Sequence, residues 1–292
     1  MALLAVAADK GAPGVTTACI ALAAVWPRQV LLAECDPAGG DLACWLPAAG
    51  GGQLDPGRGL LSLAVAARRG LRSGQVLEHA QKLSGGLDVL TGVVTAEQGA
   101  GLELLWGPVG AALAQLPGLD VIADCGRIGA DGPHYDLLAY ASAVLLVTRD
   151  TLAEVVRLRE RIAAVSTALA SRHRQHIPVG VAVVAGHRGF HAALADVRQA
   201  LGGAAGSRLA EGGVVGPEPA ERPGGTSRVI GGLAYDPQSA EALRGEWGGR
   251  LNRSMLLRTA RELAGRLTSS LATPAAVLAP TPPPRPRLVG RG

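Results

Sequence analysis

Apolar positions along this chain fall into short continuous runs rather than long alternations. Runs of strand length occupy residues 3–8, 30–34, 87–91, 121–124, 144–147, 179–184 and 229–233. Between them, over 16–25, 60–69, 102–115, 152–169 and 190–201, apolar residues recur at three- and four-residue spacing, which predicts helices. A strand that is apolar at every position is one buried on both faces. Strands alternating with helices predict an α/β fold: a doubly wound, mainly parallel sheet with helices on both faces and right-handed crossovers.

Three segments break the alternation. Residues 48–59 are rich in glycine and read as a mobile surface loop. Residues 202–228 are loaded with Gly and Pro, a long connection for a compact domain and therefore either functional or loose. From Thr273 onward, the run Pro282-Pro283-Pro284-Arg285-Pro286-Arg287 reads as an extended tail. The expected organisation is one domain over 1–271, with the Gly/Pro-rich loop at 202–228, followed by a Pro/Arg-rich disordered tail over 272–292.

Composition narrows the function classes. Apolar residues make up 48% of the chain, which excludes disorder throughout, and aromatic residues only 3%, which argues against a base-stacking platform. The net charge of +4 is spread out, so weak contact with DNA or an anionic membrane surface is permitted but not demanded. Lys10 and Lys82 are the only lysines among the basic residues. A lysine inside a glycine loop is thus a specific choice, since an ammonium is a compact charge that fits against a phosphate. Cys19, Cys35, Cys44 and Cys125 form no CxxC pair and no secretory segment precedes the first strand, so free buried thiols in a reducing cytosol are expected.

The chemistry concentrates after the first strand. Residues 9–15 form a glycine loop, and a helix beginning near Thr16 would aim its free N–H groups and positive dipole end at the crevice beyond the strand ends. Gly11 and Gly14 allow the backbone to wrap an anion closely. Thr16 stands where a phosphate loop places the hydroxyl that holds Mg²⁺.

Lys10-Gly11-Ala12-Pro13-Gly14-Val15-Thr16-Thr17 resembles the deviant Walker A motif of the MinD/ParA superfamily, K-G-G-x-G-K-T-T. The resemblance continues in Glu34-Cys35-Asp36-Pro37-x-Gly39-Gly40, similar to that family's D-x-D-P-x-G. Asp120-Val121-Ile122-Ala123-Asp124 is similar to its Walker B strand. The block 143–147 and Leu233-Ala234-Tyr235-Asp236, similar to I-P-Y-D, carry it to about residue 267. It implies a P-loop NTPase fold, ATP/ADP bound with Mg²⁺ by Gly11 to Thr17, and Mg²⁺ held by Thr16, Asp36 and Asp124. Lys10 and Asp36 would be the catalytic pair, Lys10 reaching the partner's phosphates across a homodimer and Asp36 orienting water. Gly126 would be a hinge of the second switch loop and Arg127 a partner-facing charge.

This chain also departs from the pattern. Asp9 replaces a loop glycine, and Val15 occupies the position of the loop lysine. A charge-assisted hydrogen bond contributes roughly 1.5–3 kcal/mol, so its loss should weaken ATP binding about tenfold or more and slow hydrolysis further. The family's adenine-reading asparagine is absent after the sixth strand, where Val184-Ala185-Gly186-His187-Arg188 stands. The resemblance therefore implies a nucleotide-dependent dimeric switch with weak or lost hydrolysis. It would be cytoplasmic, peripheral at membrane or nucleoid, and would position a division, pilus/secretion or chromosome apparatus, as TadZ/CpaE-like members with atypical loops do. The alternatives are an active DNA-partitioning ATPase and a nucleotide-free structural adaptor.

Other patterns in the chain compete with this one. Glu34, twenty residues past Gly14, fits the acid of a dinucleotide fingerprint, although Pro13 and the G-x-x-G spacing do not. His173-x-x-His176 and His187-x₃-His191 have metal-like spacing without neighbouring carboxylates or thiols. An amphipathic helix over 254–271 suits membrane contact or packing onto the sheet, and the arginines of 157–174 suit DNA phosphates or a solvated face.

Overall fold

The computed structural model describes residues 1–11, 13–67, 70–129, 132–172, 176–202, 228–245, 247 and 251–272. The tail after Ala272, most of the 202–228 segment and His173 lie outside the described residues.

The strands are β1 (Leu3–Ala8), β2 (Val30–Glu34), β3 (Gln81–Lys82), β4 (Asp88–Leu90), β5 (Asp120–Arg127), β6 (Ala143–Arg149), β7 (Val179–Gly186) and β8 (Arg228–Tyr235). They form one sheet in the order β3-β4-β2-β5-β1-β6-β7-β8. Every pairing is parallel except that of β3 with β4. The central strands β1 and β2 are buried along their whole length and aliphatic except for Glu34 at the end of β2. The longer helices are α1 (Val15–Ala24), α6 (Trp106–Ala114), α8 (Leu152–Arg172), α9 (Phe190–Gly202) and α11 (Met255–Ala272). Shorter ones are α2 (Leu42–Trp45), α3 (Leu60–Ala67), α4 (Val76–His79), α5 (Ala96–Ala100), α7 (His134–Leu138) and α10 (Pro237–Ala242).

Two apolar layers sandwich the sheet. One packs α3, α6, α7, α8 and α9 on one face; the other packs α1 and α11 on the opposite face. At the crevice, the connection leaving β1 runs toward the β4 side and that leaving β5 crosses to β6 on the other side. Such a reversal of strand order opens the ligand crevice of doubly wound sheets.

Three expectations change. The segment 48–59 is not a free loop. Ala49 N–H donates to the Lys82 carbonyl at 2.8 Å, and the Asp55 N–H and carbonyl pair with the Gln81 amide, each at 2.8 Å. These bonds satisfy the edge beside β3, a two-residue strand too short to leave a periodic signal. The helix expected over 102–115 is broken into a 3₁₀ turn at Glu103–Leu105 and then α6. Cys44 is exposed, whereas Cys19, Cys35 and Cys125 are buried; all four are free.

The last helix buries its apolar face. Leu256, Leu257, Ala260, Leu263, Ala264 and Leu267 enter the core beside α1, so this stripe is already covered. Its polar groups cover the edge of β8: Thr259 Oγ1 accepts from Ala234 N–H at 3.0 Å, and Arg266 donates to the Ile230 carbonyl at 3.1 Å. An edge strand covered in this way is a poor template for pairing with another chain. On α8, Arg157 and Arg159 donate to the carbonyls of Ala153 and Ala200, and Arg172 stacks on Tyr135, so these arginines are engaged within the molecule.

Candidate functional site

The chain leaves β1 through Asp9, exposed Lys10 and Gly11, whose φ of 91° belongs to the left-handed region that favours glycine. Ala12 lies outside the described residues. Pro13 is buried, and Gly14, with φ 88° and ψ 43°, caps the start of α1 without any side-chain cap. The first N–H groups of α1 therefore face the crevice without side-chain acceptors, the usual condition for binding an anion.

Val15, the first helical residue, is buried in the core cluster that contains Ile20 and Leu22. No cation stands in its place. The hydroxyl of Thr16 donates to the carboxylate of Asp124, and Thr17, half-buried, follows on the helix. Asp124 is 2% exposed and also accepts the Gly126 N–H at 3.1 Å. Burial raises its pKa to about 6, against the lowering effect of those two donors.

Asp36 arrives from β2. Its Oδ1 accepts the Ala38 N–H at 2.8 Å, an Asx turn that fixes the carboxylate before Pro37. Burial raises its pKa, while the bond from Ala38 and the charge of Arg127 oppose that rise. The other carboxylate oxygen lies where a Cβ on Gly126 would fall. Gly126 has φ 57° and sits at a register shift between β1 and β5, where Val6 faces Asp124 but Ala8 faces Arg127. The extra residue is a bulge that brings Asp36 against β5. Thus Thr16, Asp36 and Asp124, distant in sequence, converge at one end of the sheet.

Glu34 serves a different role from any read in the sequence. It is 3% exposed; Oε1 accepts Leu42 N–H at 3.0 Å and Oε2 accepts Gly92 N–H at 2.8 Å. The carboxylate ties the loop after β2 to the turn after β4, and side chains at Gly40 or Gly92 would collide with it. It is therefore occupied and not offered to a ribose, which removes the dinucleotide reading. Burial raises its pKa to about 7, although both backbone donors pull it down. Asp120, at the other end of the Walker B-like strand, anchors Arg28 at 2.6 Å and the Trp26 indole at 2.9 Å, a structural role.

The sequence also gave no sign of α8 against the loop. Glu154 accepts the Arg149 N–H at 2.7 Å, and its other oxygen lies 3.2 Å from where a Cβ on Gly11 would stand. One turn-pair further along, Arg161 pairs with Asp9. His187 and His191 do share a cleft of about 260 Å³ with Phe190, Met255, Arg258 and Glu262, but no loop residue lines it. Among the described residues, no group of three or more His, Cys, Asp or Glu side chains is placed to hold a metal. A Mg²⁺ site needs fewer, since this ion takes one or two carboxylates and otherwise waters and phosphate oxygens. The hard oxygens of Thr16, Asp36 and Asp124 fit that demand.

No protein-family model matches the chain, and no curated protein matches it in sequence. Solved structures do. A ParA family ATPase from Chlorobium tepidum TLS is 15% identical, with TM-score 0.61 over 90% of this chain and 98% of its own. The septum site-determining protein MinD of Pyrococcus horikoshii OT3, in complex with Mg-ADP, is 15% identical, with TM-score 0.60 over 93% and 97%. The fold is that of the ParA and MinD ATPases. A cobyrinic acid a,c-diamide synthase from Mycobacterium smegmatis, solved with an ATP analogue and magnesium, is 17% identical, with TM-score 0.60 over 92% and 94%. The ParA/MinD fold thus also carries a synthase, so the reading of function rests on the site. No helix among the described residues is long and apolar enough to cross a membrane.

Proposed function

We propose that this chain is a nucleotide-dependent dimeric switch of the MinD/ParA kind with weak or lost hydrolysis, positioning a division, pilus/secretion or chromosome apparatus. The observation that carries this reading is the convergence of Thr16, Asp36 and Asp124 on a loop whose lysine position is filled by buried Val15. The oxygens that would hold Mg²⁺ are together, which supports nucleotide binding, whereas the cation that would follow charge onto a transferring phosphoryl group is replaced by Val15, which supports weak hydrolysis.

Gly11 to Thr17 would hold the phosphates of ATP or ADP through backbone N–H groups at the start of α1. Thr16, Asp36 and Asp124 would hold Mg²⁺, which when bound neutralises phosphate charge. Asp36, pinned by the Ala38 N–H, would orient water beside the phosphates. Lys10, exposed at the loop, is free to reach a partner's phosphates in a homodimer.

Calorimetric titration with ATP and ADP in Mg²⁺, on wild type and Lys10→Ala, tests the proposal. Binding without turnover, with nucleotide-dependent dimers in light scattering that Lys10→Ala abolishes, is the expected result. Binding of neither nucleotide overturns it in favour of a nucleotide-free adaptor. Turnover stimulated by DNA would instead support an active partitioning ATPase.

A further inference from the structure

The loop residue that departs furthest from the glycine pattern, Asp9, has a partner 152 positions away. Its carboxylate receives the Nε–H of Arg161 on α8, and both side chains are mostly shielded, 16% and 20% exposed. The same guanidinium donates from its other arm to the carbonyl of Gly129, at 2.9 Å. That carbonyl also accepts the Tyr135 hydroxyl of α7 at 3.1 Å, and Tyr135 lies within hydrogen-bonding reach of Arg161. One side chain therefore touches the phosphate loop and the segment that follows β5.

The placement follows from helix geometry. Glu154 and Arg161 are seven residues apart, two turns along one face of α8. Glu154 meets the loop at Gly11 and Arg161 meets it at Asp9, so this face runs alongside the loop. Asp9 adds a negative charge next to an anion site and is unfavourable there alone. A planar guanidinium with several fixed donors can offset that charge and hold a backbone carbonyl at the same time, which an ammonium does less well.

We propose that Arg161 is a positioning residue that locks the phosphate loop, through Asp9, to the segment after β5, through Gly129, so that the two move as one unit. Its partners are Asp9, Gly129 and Tyr135. Its consequence for ligand affinity rests on the nucleotide-binding reading above, whereas its consequence for the free protein does not.

Hydrogen exchange of the full chain without nucleotide separates the two. In Arg161→Ala, amides of residues 8–11 and 126–129 should exchange at least about tenfold faster, with α11 unchanged. Asp9→Asn should speed the same two segments, and the double variant should add little to either single one, as expected for one coupled unit. Arg161→Lys should restore protection of residues 8–11 more than of 126–129. Acceleration confined to one segment, uniform acceleration including α11, or additive effects in the double variant would each overturn the proposal. If wild type binds ATP, Arg161→Ala should weaken that binding about tenfold, since Asp9 is then left uncompensated. Absence of ATP binding in wild type would count against the switch function while leaving the exchange result to decide the lock.

Discussion

The Gly92 N–H donates a 2.8 Å hydrogen bond to the buried carboxylate of Glu34, joining two loops that are 58 residues apart in sequence. With the second bond from Leu42, this acid sets the spacing of the loop that carries Asp36. Burial raises its pKa from the ordinary 4.5 to about 7. The folded state therefore holds a proton that the unfolded chain releases near pH 4.5. The associated stability is present below that pH and is lost as pH rises through about 7. Urea unfolding between pH 4 and 8 should show this downward slope in wild type, on the order of 3 kcal/mol. Glu34→Gln should make it shallower, leaving the part that Asp124, raised to about 6, contributes at lower pH. An unchanged slope in the variant would assign the effect to another group.

Val15→Lys would place an ammonium where the loop has none. ATP affinity in Mg²⁺ should rise about tenfold, the equivalent of one charge-assisted hydrogen bond. Because Val15 is only 8% exposed and part of the core, some stability should be lost as well. Calorimetry and thermal unfolding on the same preparation measure both. Unchanged affinity would mean that the loop does not wrap a phosphate.

Gly126→Ala meets two obstacles at once. The backbone is in the left-handed region at φ 57°, and the new Cβ would collide with the Asp36 carboxylate. Destabilisation of at least about 2 kcal/mol is expected, together with weaker Mg²⁺-dependent nucleotide binding. Serine substitution at exposed Gly74, where a Cβ meets open space, is the matched control and should change neither.

His134, 3% exposed, has two ring nitrogens without a hydrogen-bond partner among the described residues. Burial lowers its pKa from 6.5 to about 4. The unfolded chain binds the proton first, so stability is present above pH 6.5 and is lost as pH falls toward 4, opposite in sign to the Glu34 effect. His134→Phe, which keeps the stacking on Tyr135 at 5.4 Å, should gain about 1 kcal/mol at pH 7 and lose less on acidification. Thermal unfolding at pH 7 and 5 distinguishes this from a histidine that is satisfied in solution, for which Phe would destabilise.

Motif spacing made Thr16, Asp36 and Asp124 legible because each stands beside a glycine or proline turn at the end of an aliphatic strand. The partners of Glu34 and Asp9 were not legible. Leu42 is near Glu34 in sequence, but Gly92 and Arg161 are brought in by strand order, and a single carboxylate gives no periodic signal of what it will meet. The bulge at Gly126 was hidden for the same reason: it exists only relative to β1. The amphipathic pattern of α11 showed that it had an apolar face, but not that α1 and the sheet would cover it.

The sequence alone determined the alternation of strand and helix, the glycine loop before α1 and the loss of its lysine, since these depend on local spacing and on residue type. Tertiary structure alone decided which carboxylates gather beside the glycine loop, Asp36 and Asp124, and which join distant segments through backbone or arginine, Glu34 and Asp9. Charge and hydrogen-bonding partners are set by neighbours in space, and in a doubly wound sheet those neighbours come from strands far apart along the chain.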